Sequence, residues 1–403
     1  MRILFLVPYA PTLIRTRPYN LLRFLARRGH RITLATLWEN EDEWAFVQVL
    51  GKEEGIRILA EPLGSGRKLL NLTAGAFSRA PIQARFCWHP ALARAVQAAV
   101  QENAFDVVHV EHLRGVRYAL HLQEAIPDDS ARPPIVWDSV DSITYLFEQA
   151  AQQSQSLKGR MMTAMELGRT RRYETWLLTR FPQVLVTSPR DKAAFQSLLD
   201  HQAAASITVL PNGVDLHYFS PDSFLRKPAT IVFSGKMSYH ANVTAAVYLV
   251  REIMPLVWRR RPDVRVEIVG KDPAREVQAL ASGEPRVTVT GFVADLRPYL
   301  RQATVAVSPI RYGAGIQNKV LEAMACGAPV IASSLAVSAL AVEPDRDLVI
   351  ADHPLAFAKA ILQVIESPSL QRRLGEAGRA YVETHHDWAK IVARLETIYQ
   401  GLL

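Results

Sequence analysis

Ser308-Pro309-Ile310-Arg311-Tyr312-Gly313-Ala314-Gly315-Ile316-Gln317-Asn318-Lys319-Val320-Leu321-Glu322-Ala323-Met324-Ala325-Cys326-Gly327-Ala328-Pro329-Val330-Ile331-Ala332 reads as strand, glycine-rich loop, helix, glycine stop, proline and strand. Gly313 and Gly315 let a backbone come close to a ligand. A helix opening at Ile316 would aim unpaired N–H groups and the positive end of its dipole at an anion or sugar oxygen in that loop. Gln317 and Asn318 occupy its first turn. Lys319 and Glu322, three apart, share one face. That face offers a cation for phosphate and a carboxylate that can accept two hydrogen bonds from vicinal hydroxyls, as in a ribose. An exposed ion pair is the ordinary alternative.

The same alternation extends outward in both directions. Strands are expected at Ile3–Val7, Arg31–Thr36, Ile56–Leu59, Val107–Val110, Ile135–Asp138 and Gln183–Thr187. In the second half they fall at Thr230–Phe233, Arg265–Val269, Val287–Thr290, Thr304–Val307, Val330–Ala332 and Leu348–Ile350. Periodic helical segments such as Pro18–Arg28, Pro90–Glu102 and Leu157–Arg180 lie between. Continuous apolar strands separated by helices argue for parallel sheets covered on both faces, an α/β architecture. A chain of 403 residues exceeds one ordinary core, so two domains are expected. The boundary falls where Pro, Asn, Gly and Asp crowd, from Leu210-Pro211-Asn212-Gly213-Val214-Asp215 through Pro221-Asp222-Ser223-Phe224-Leu225-Arg226-Lys227-Pro228. Ligands are then expected at the carboxyl ends of the strands.

Composition removes several classes. With 49% hydrophobic and 21% charged residues the chain is neither disordered nor fibrous. No apolar run approaches the ~18 residues of a membrane span. The N-terminus MRILFLVPYAPTLI reads as a first core strand, not a signal peptide. Two cysteines, Cys87 and Cys326, suggest a reduced, cytoplasmic setting. The first strand lacks Gly-x-Gly-x-x-Gly, against a dehydrogenase, and no Gly-x4-Gly-Lys-Ser/Thr is present. No metal site is expected: His109-x-x-His112 lies at a strand end without helical i,i+4 spacing, and His385-His386 reads as turn decoration. The net charge of +8 is concentrated in residues 1–100, with 14 basic against 7 acidic residues. Nucleic acid is not the expected partner, because no finger, aromatic run or basic tract beyond Arg259-Arg260-Arg261 is present.

Gly313–Ala332, Leu210-Pro211-Asn212-Gly213-Val214-Asp215, Phe233-Ser234-Gly235-Lys236-Met237 and, more loosely, Phe105-Asp106-Val107-Val108-His109-Val110-Glu111 together resemble glycosyltransferase family 4 of the GT-B fold. The flavour is that of bacterial exopolysaccharide and cell-surface glycan enzymes, which carry Gly-x-Gly-x3-Lys-x2-Glu. The resemblance implies two Rossmann-like, doubly wound domains facing a central cleft. Residues 1–211 with a returning helix 387–403 would bind the acceptor, and 212–386 a UDP- or GDP-linked sugar. It implies retention of anomeric configuration with no cofactor beyond that co-substrate. Donor contacts would come from Gly235, Lys236, Arg311, Gly313, Gly315, Ile316, Gln317, Asn318, Lys319 and Glu322.

The chain departs from the family pattern at several points. Where a Glu-x7-Glu pair is usual, Ala314 replaces the first carboxylate, while Glu322 fits the second. Lys236 stands for the arginine after glycine, and a charge-keeping lysine cannot bind in bidentate fashion. The lysine that follows in that motif is missing from Ser238-Tyr239-His240-Ala241-Asn242, so Lys319 or Arg311 would supply the second charge. The first loop lacks its Gly-Gly and has Arg15 and Arg17 nearby. The histidine after the fourth strand maps near Glu111 and His112.

Breaking a sugar–diphosphate bond adds negative charge to the leaving phosphate, so fixed cations are the expected catalytic groups, here Lys236 and Lys319. Glu111, His112, Asp138 and Asp141 follow strand ends of the first domain, where acceptor hydroxyls would be oriented. Closure over the Pro211–Pro228 hinge would expel water. Arg67, Lys68, Arg79, Arg85 and Arg94 flank Leu69, Leu70, Leu72, Phe77, Phe86 and Trp88. Such a surface suits an anionic membrane at the inner face of the plasma membrane, with a glycan or lipid-linked acceptor. A sugar-nucleotide epimerase and a non-catalytic binding scaffold stay open as alternatives.

Overall fold

The computed structural model describes the chain except residues 77, 129–131, 154–156, 200–204, 223–225 and 313–316. The expectations placed on Gly313, Ala314, Gly315 and Ile316, on Phe77 and on linker residues 223–225 lie outside the described residues. The chain divides into two units, Met1–Pro211 with Ile391–Leu403, and Asn212–Lys390. The change of unit near the C-terminus falls inside the helix Trp388–Gln400, four residues beyond the expected 387.

In the first unit the strands are β1 (Arg2–Val7), β2 (Arg31–Trp38), β3 (Arg57–Pro62), β4 (Val107–Glu111), β5 (Ile135–Val140), β6 (Gln183–Val186) and β7 (Ser206–Val209). They form one parallel sheet in the order β3-β2-β1-β4-β5-β6-β7. Ile3 to Val7 are wholly buried, which is what a strand covered on both faces demands of its side chains. β7 was not expected: at an edge and only partly buried, it shows no continuous apolar run. Strand order reverses between β1 and β4, so the open strand ends there define where a ligand fits.

The second unit adds β8 (Thr230–Ser234), β9 (Arg265–Val269), β10 (Val287–Val289), β11 (Val305–Ser308), β12 (Val330–Ala332) and β13 (Val349–Ile350). These are also parallel, in the order β10-β9-β8-β11-β12-β13, with the reversal between β8 and β11. The helix after β11 runs Asn318–Ala325 and stops at Gly327, whose φ of 71° lies in the left-handed region that glycine adopts freely.

The linker motif is anchored within the second unit. A Cβ on Gly213 would come within 2.7 Å of the Trp388 ring, so only glycine lets that indole pack there. His386 was read as turn decoration, and the structure corrects this. It is buried, its Nδ1 lies 2.7 Å from the Asn212 carbonyl, and its Nε2 lies 3.2 Å from the Tyr381 hydroxyl. Burial pushes its pKa down to about 4, so it is a neutral strut.

Candidate active site

At the carboxyl ends of β8 and β9 two glycine turns meet. Gly235 and Gly270 have φ of 148° and 151°, and a Cβ on Gly270 would sit 1.7 Å from the Gly235 carbonyl oxygen. No other residue fits that approach. Gly235 N–H donates to the Val269 carbonyl at 3.0 Å, and Met237 N–H to the Lys271 carbonyl at 2.9 Å. The turn therefore presents Lys236 to solvent from a rigid base.

Asn242 in the helix His240–Tyr248 ties this turn to the helix after β11. Its buried amide Nδ2 donates to the Lys236 carbonyl at 2.9 Å, and its Oδ1 accepts from Lys319 Nζ. The Lys319 ammonium also lies 4.9 Å from the Phe233 ring centroid, within cation–π range. Lys319 thus bonds Asn242 and does not close an exposed ion pair on Glu322. Burial pushes the Lys319 pKa down to about 8, with Glu322 opposing, and pushes Glu322 up to about 7, with Lys319 opposing. Both shifts come from burial, against which the two opposite charges partly support each other. Ser308 Oγ, at the end of β11, is buried without a hydrogen-bond partner among the described residues.

The remaining donor residues divide. Gln317 is the N-cap of Asn318–Ala325 and gives it no side-chain bond, while its carbonyl accepts from Val320 N–H at 2.8 Å. Arg311 is engaged away from Lys319. Its guanidinium lies 4.8 Å from the Tyr248 ring centroid and 3.9 Å from the Glu252 carboxylate, whereas Lys319, the other candidate for the second charge, adjoins the Lys236 turn through Asn242. The neighbouring Tyr312 stacks on His240 and meets the Thr244 hydroxyl at 3.1 Å. Asn242, Tyr312 and His240 were missed. The only signal for Asn242 was its place six residues after Lys236 in a helix that had not been delimited.

In the first unit, the ends of β1, β4 and β5 bring a second group together. Tyr9 O–H donates to Glu111 Oε1 at 2.8 Å; Oε2 is buried without a partner among the described residues. Burial, then the charge of Asp138, pushes the Glu111 carboxyl up to about 8, so it holds its proton at neutral pH. His112 follows directly with φ of 64°, a costly conformation outside glycine. Its Nδ1 accepts from Arg114 N–H at 3.2 Å, which puts the proton of the neutral ring on Nε2. Burial, then Arg114, pushes its pKa down to about 3. Arg15 lies 4.6 Å from the Tyr9 ring centroid and donates to the Ala10 carbonyl.

Arg17 and Asp138 do not serve as open acceptor contacts. The Arg17 side chain is 4% exposed and that of Asp138 0%; Nε and an Nη of Arg17 hold Asp138 Oδ2 at 2.9 and 2.7 Å. Another Nη of Arg17 donates to the Leu210 carbonyl at 3.0 Å. Burial would raise the Asp138 carboxyl, but Arg17 and then His109 hold it below its ordinary value. His109 in turn meets the Tyr399 hydroxyl at 2.8 Å, which anchors the end of the C-terminal helix inside this unit. The pair is structural. Asp141 is half-buried, accepts from the Thr187 hydroxyl at 3.2 Å, and is pushed up to about 7 by burial and Asp191. Val140 before it has φ of 69°, strained for a β-branched residue.

On the basic first quarter the apolar residues split. Phe86 and Trp88 pack against the core, whereas Leu69 and Leu70 on the helix Ser65–Ala76 are 64% and 56% exposed. Lys68 there pairs with Glu39 at 2.6 Å. No helix among the described residues is long and apolar enough to cross a membrane.

Two parallel sheets of Rossmann type, each carrying polar groups at its reversal of strand order, define the GT-B fold. Sucrose-phosphate synthase from Thermosynechococcus elongatus is similar over 100% of this chain and 99% of its own, with TM-score 0.69 and 18% identity. The Anabaena protein HepE in complex with UDP and glucose is similar over 100% of both chains, with TM-score 0.66 and 15% identity. The chain belongs to glycosyltransferase family 4: the family model "Glycosyltransferase Family 4" matches residues 15–218, and "Glycosyl transferases group 1" matches 228–367. The phosphatidyl-myo-inositol mannosyltransferase of Mycobacterium tuberculosis is 28% identical over 204 residues, 47% of this chain and 53% of that protein. Its Mycolicibacterium smegmatis counterpart is 25% identical over 327 residues, 79% and 76% of the two chains. The match thus spans about half the length of the first of these relatives.

Proposed function

We propose that this protein is a retaining glycosyltransferase that takes a sugar from a UDP- or GDP-linked donor held by the second unit. The observation that carries the reading is the convergence of the Gly235–Lys236 turn, the Lys319 ammonium and, one helical turn on, the Glu322 carboxylate. The two ammonium groups face the diphosphate, and Glu322 accepts from the ribose hydroxyls. Cleavage breaks the bond from the anomeric carbon to the phosphate oxygen, and the new bond forms from the acceptor oxygen on the same face. The acceptor proton passes to the departing phosphate oxygen, whose added charge Lys236 and Lys319 stabilise in place of a metal ion. The half-buried setting of Lys319 strengthens that effect, since charges interact more strongly away from bulk water.

The acceptor belongs at the strand ends of the first unit, where Tyr9, Glu111, His112, Arg15 and Asp141 offer hydrogen bonds to hydroxyls. A lipid-linked glycan or glycolipid is the class we favour. The mannosyltransferase relatives are named for phosphatidyl-myo-inositol, and Leu69 and Leu70 stand exposed beside basic residues, suited to an anionic membrane face. The site of action would then be the cytoplasmic face of the membrane.

A panel of UDP-, GDP- and ADP-sugars tests the reading, with product analysis by mass spectrometry and NMR. Transfer, or slow hydrolysis releasing nucleoside diphosphate, supports it. A rearranged donor without transfer would instead identify an epimerase, and binding alone a scaffold.

A further inference from the structure

We infer that Asn242 is a positioning residue that fixes the Lys319 ammonium against the Gly235–Lys236 turn and so sets the spacing of the two cations. This rests on the donor-site reading above and gives a role to the residue that joins its two cations. Three observations carry it.

First, one amide makes both bonds: Nδ2 donates to the Lys236 carbonyl at 2.9 Å, and Oδ1 accepts from Lys319 Nζ. A primary amide offers its donor and its acceptor on two separate atoms of one short planar group; a carboxylate has no donor at neutral pH, and an ammonium has no acceptor. Second, the space is already committed. A Cβ on Gly235 would stand 2.8 Å from Asn242 Nδ2 and 3.4 Å from Lys319 Cε, so turn, amide and lysine stem are mutually in contact. Third, the ammonium has donors to spare. It makes no other hydrogen bond among the described residues, and an –NH₃⁺ carries three donors, so two remain for an anion. The amide takes one donor without neutralising the charge, which an ion pair on Glu322 would do. The Phe233 ring, its centroid 4.9 Å from the ammonium, adds a cation–π contact.

The test uses five variants of the full chain: Asn242→Ala, Asn242→Asp, Lys319→Ala, Asn242→Ala combined with Lys319→Ala, and Asn242→Lys combined with Lys319→Ala. Calorimetry measures UDP and GDP against uridine and guanosine, which lack phosphate. Asn242→Ala and Lys319→Ala should each weaken the diphosphates roughly tenfold to a hundredfold and leave the nucleosides unchanged. Their combination should be no worse than Lys319→Ala, because both remove one interaction. Asn242→Asp, equal in shape, should weaken diphosphates by placing a negative charge beside the ammonium. Asn242→Lys with Lys319→Ala should regain most of the loss, since the new ammonium starts beside the vacated one. Equal weakening of nucleosides in the alanine and aspartate variants would overturn the inference, as would additive losses.

A second readout needs no nucleotide. Acylation of Lys319 in the ligand-free protein, followed by mass spectrometry, should quicken several-fold in Asn242→Ala. An unchanged rate sinks the clamp, whereas a wild type that binds neither UDP nor GDP sinks the donor reading.

Discussion

The two strand-end sites are built in opposite ways. In the second unit Lys319 bonds an uncharged amide, and Lys236 is exposed to solvent. In the first unit burial, with a neighbour of like charge adding to it, pushes acids up: Glu111 beside Asp138 to about 8, and Asp141 beside Asp191 to about 7. A pyrophosphate needs fixed positive charge, whereas an uncharged hydroxyl needs donors and acceptors that carry none. On the function proposed above, the contrast would give the phosphate to the second unit and the hydroxyls to the first.

The largest effect expected is structural. Arg17→Met leaves Asp138 buried without its partner and should cost about 3–5 kcal/mol, the range for breaking one side of a buried ion pair. Chemical denaturation measures it. A loss below about 1 kcal/mol would mean that Arg17 is free to act elsewhere, which would return it to the acceptor side of the comparison.

Next in size, Lys319→Ala should lower turnover of the accepted donor about a hundredfold, near 2.7 kcal/mol, as removing one charge-stabilising donor does. Steady-state kinetics decide it, and an unchanged rate would put the phosphate elsewhere.

A smaller effect concerns pH. The folded Glu111 carboxyl titrates near 8 against about 4.3 in an unfolded chain, so the native state holds the extra proton between those values. Stability contributed by that proton is present at the low end and is lost as pH rises toward 8. Glu111→Gln should therefore flatten the fall in unfolding free energy between pH 5 and 8. Part of the slope should persist from Asp141 and Glu174, both near 7. An unaltered slope would show that Glu111 is ionised in the fold.

Smallest is the surface change. Replacing Leu69 and Leu70 by Ser should shift stability within about 0.5 kcal/mol, as exposed positions do. It should nevertheless cut salt-sensitive co-sedimentation with anionic vesicles. Equal recovery with neutral vesicles would remove the membrane from the account.

Much of the donor side was legible along the chain as two local patterns, although the bond from Lys319 to Asn242 that joins them spans 77 residues. Strand, glycine turn, Lys236, Lys319, Glu322 and Gly327 each sit in a local pattern whose backbone geometry has a residue signature. The first unit was legible only as strands. Tyr9 meets Glu111 from 102 residues away, Arg17 meets Asp138 from 121, and His109 meets Tyr399 from 290. Arg17, Asp138 and His386 were misread for one reason: a polar side chain looks free until the neighbour that takes its hydrogen bonds is known.

From its sequence alone this protein is committed to two parallel, doubly wound sheets, a break near Pro211, and a lysine and a glutamate on one helix face. Local backbone sterics and apolar periodicity act over a few residues and leave their mark in the chain. Which charges survive, which are cancelled and which amide spans Lys236 and Lys319 was decided only by the tertiary structure. Burial and pairing are properties of atoms brought together from distant positions, and no short pattern records them.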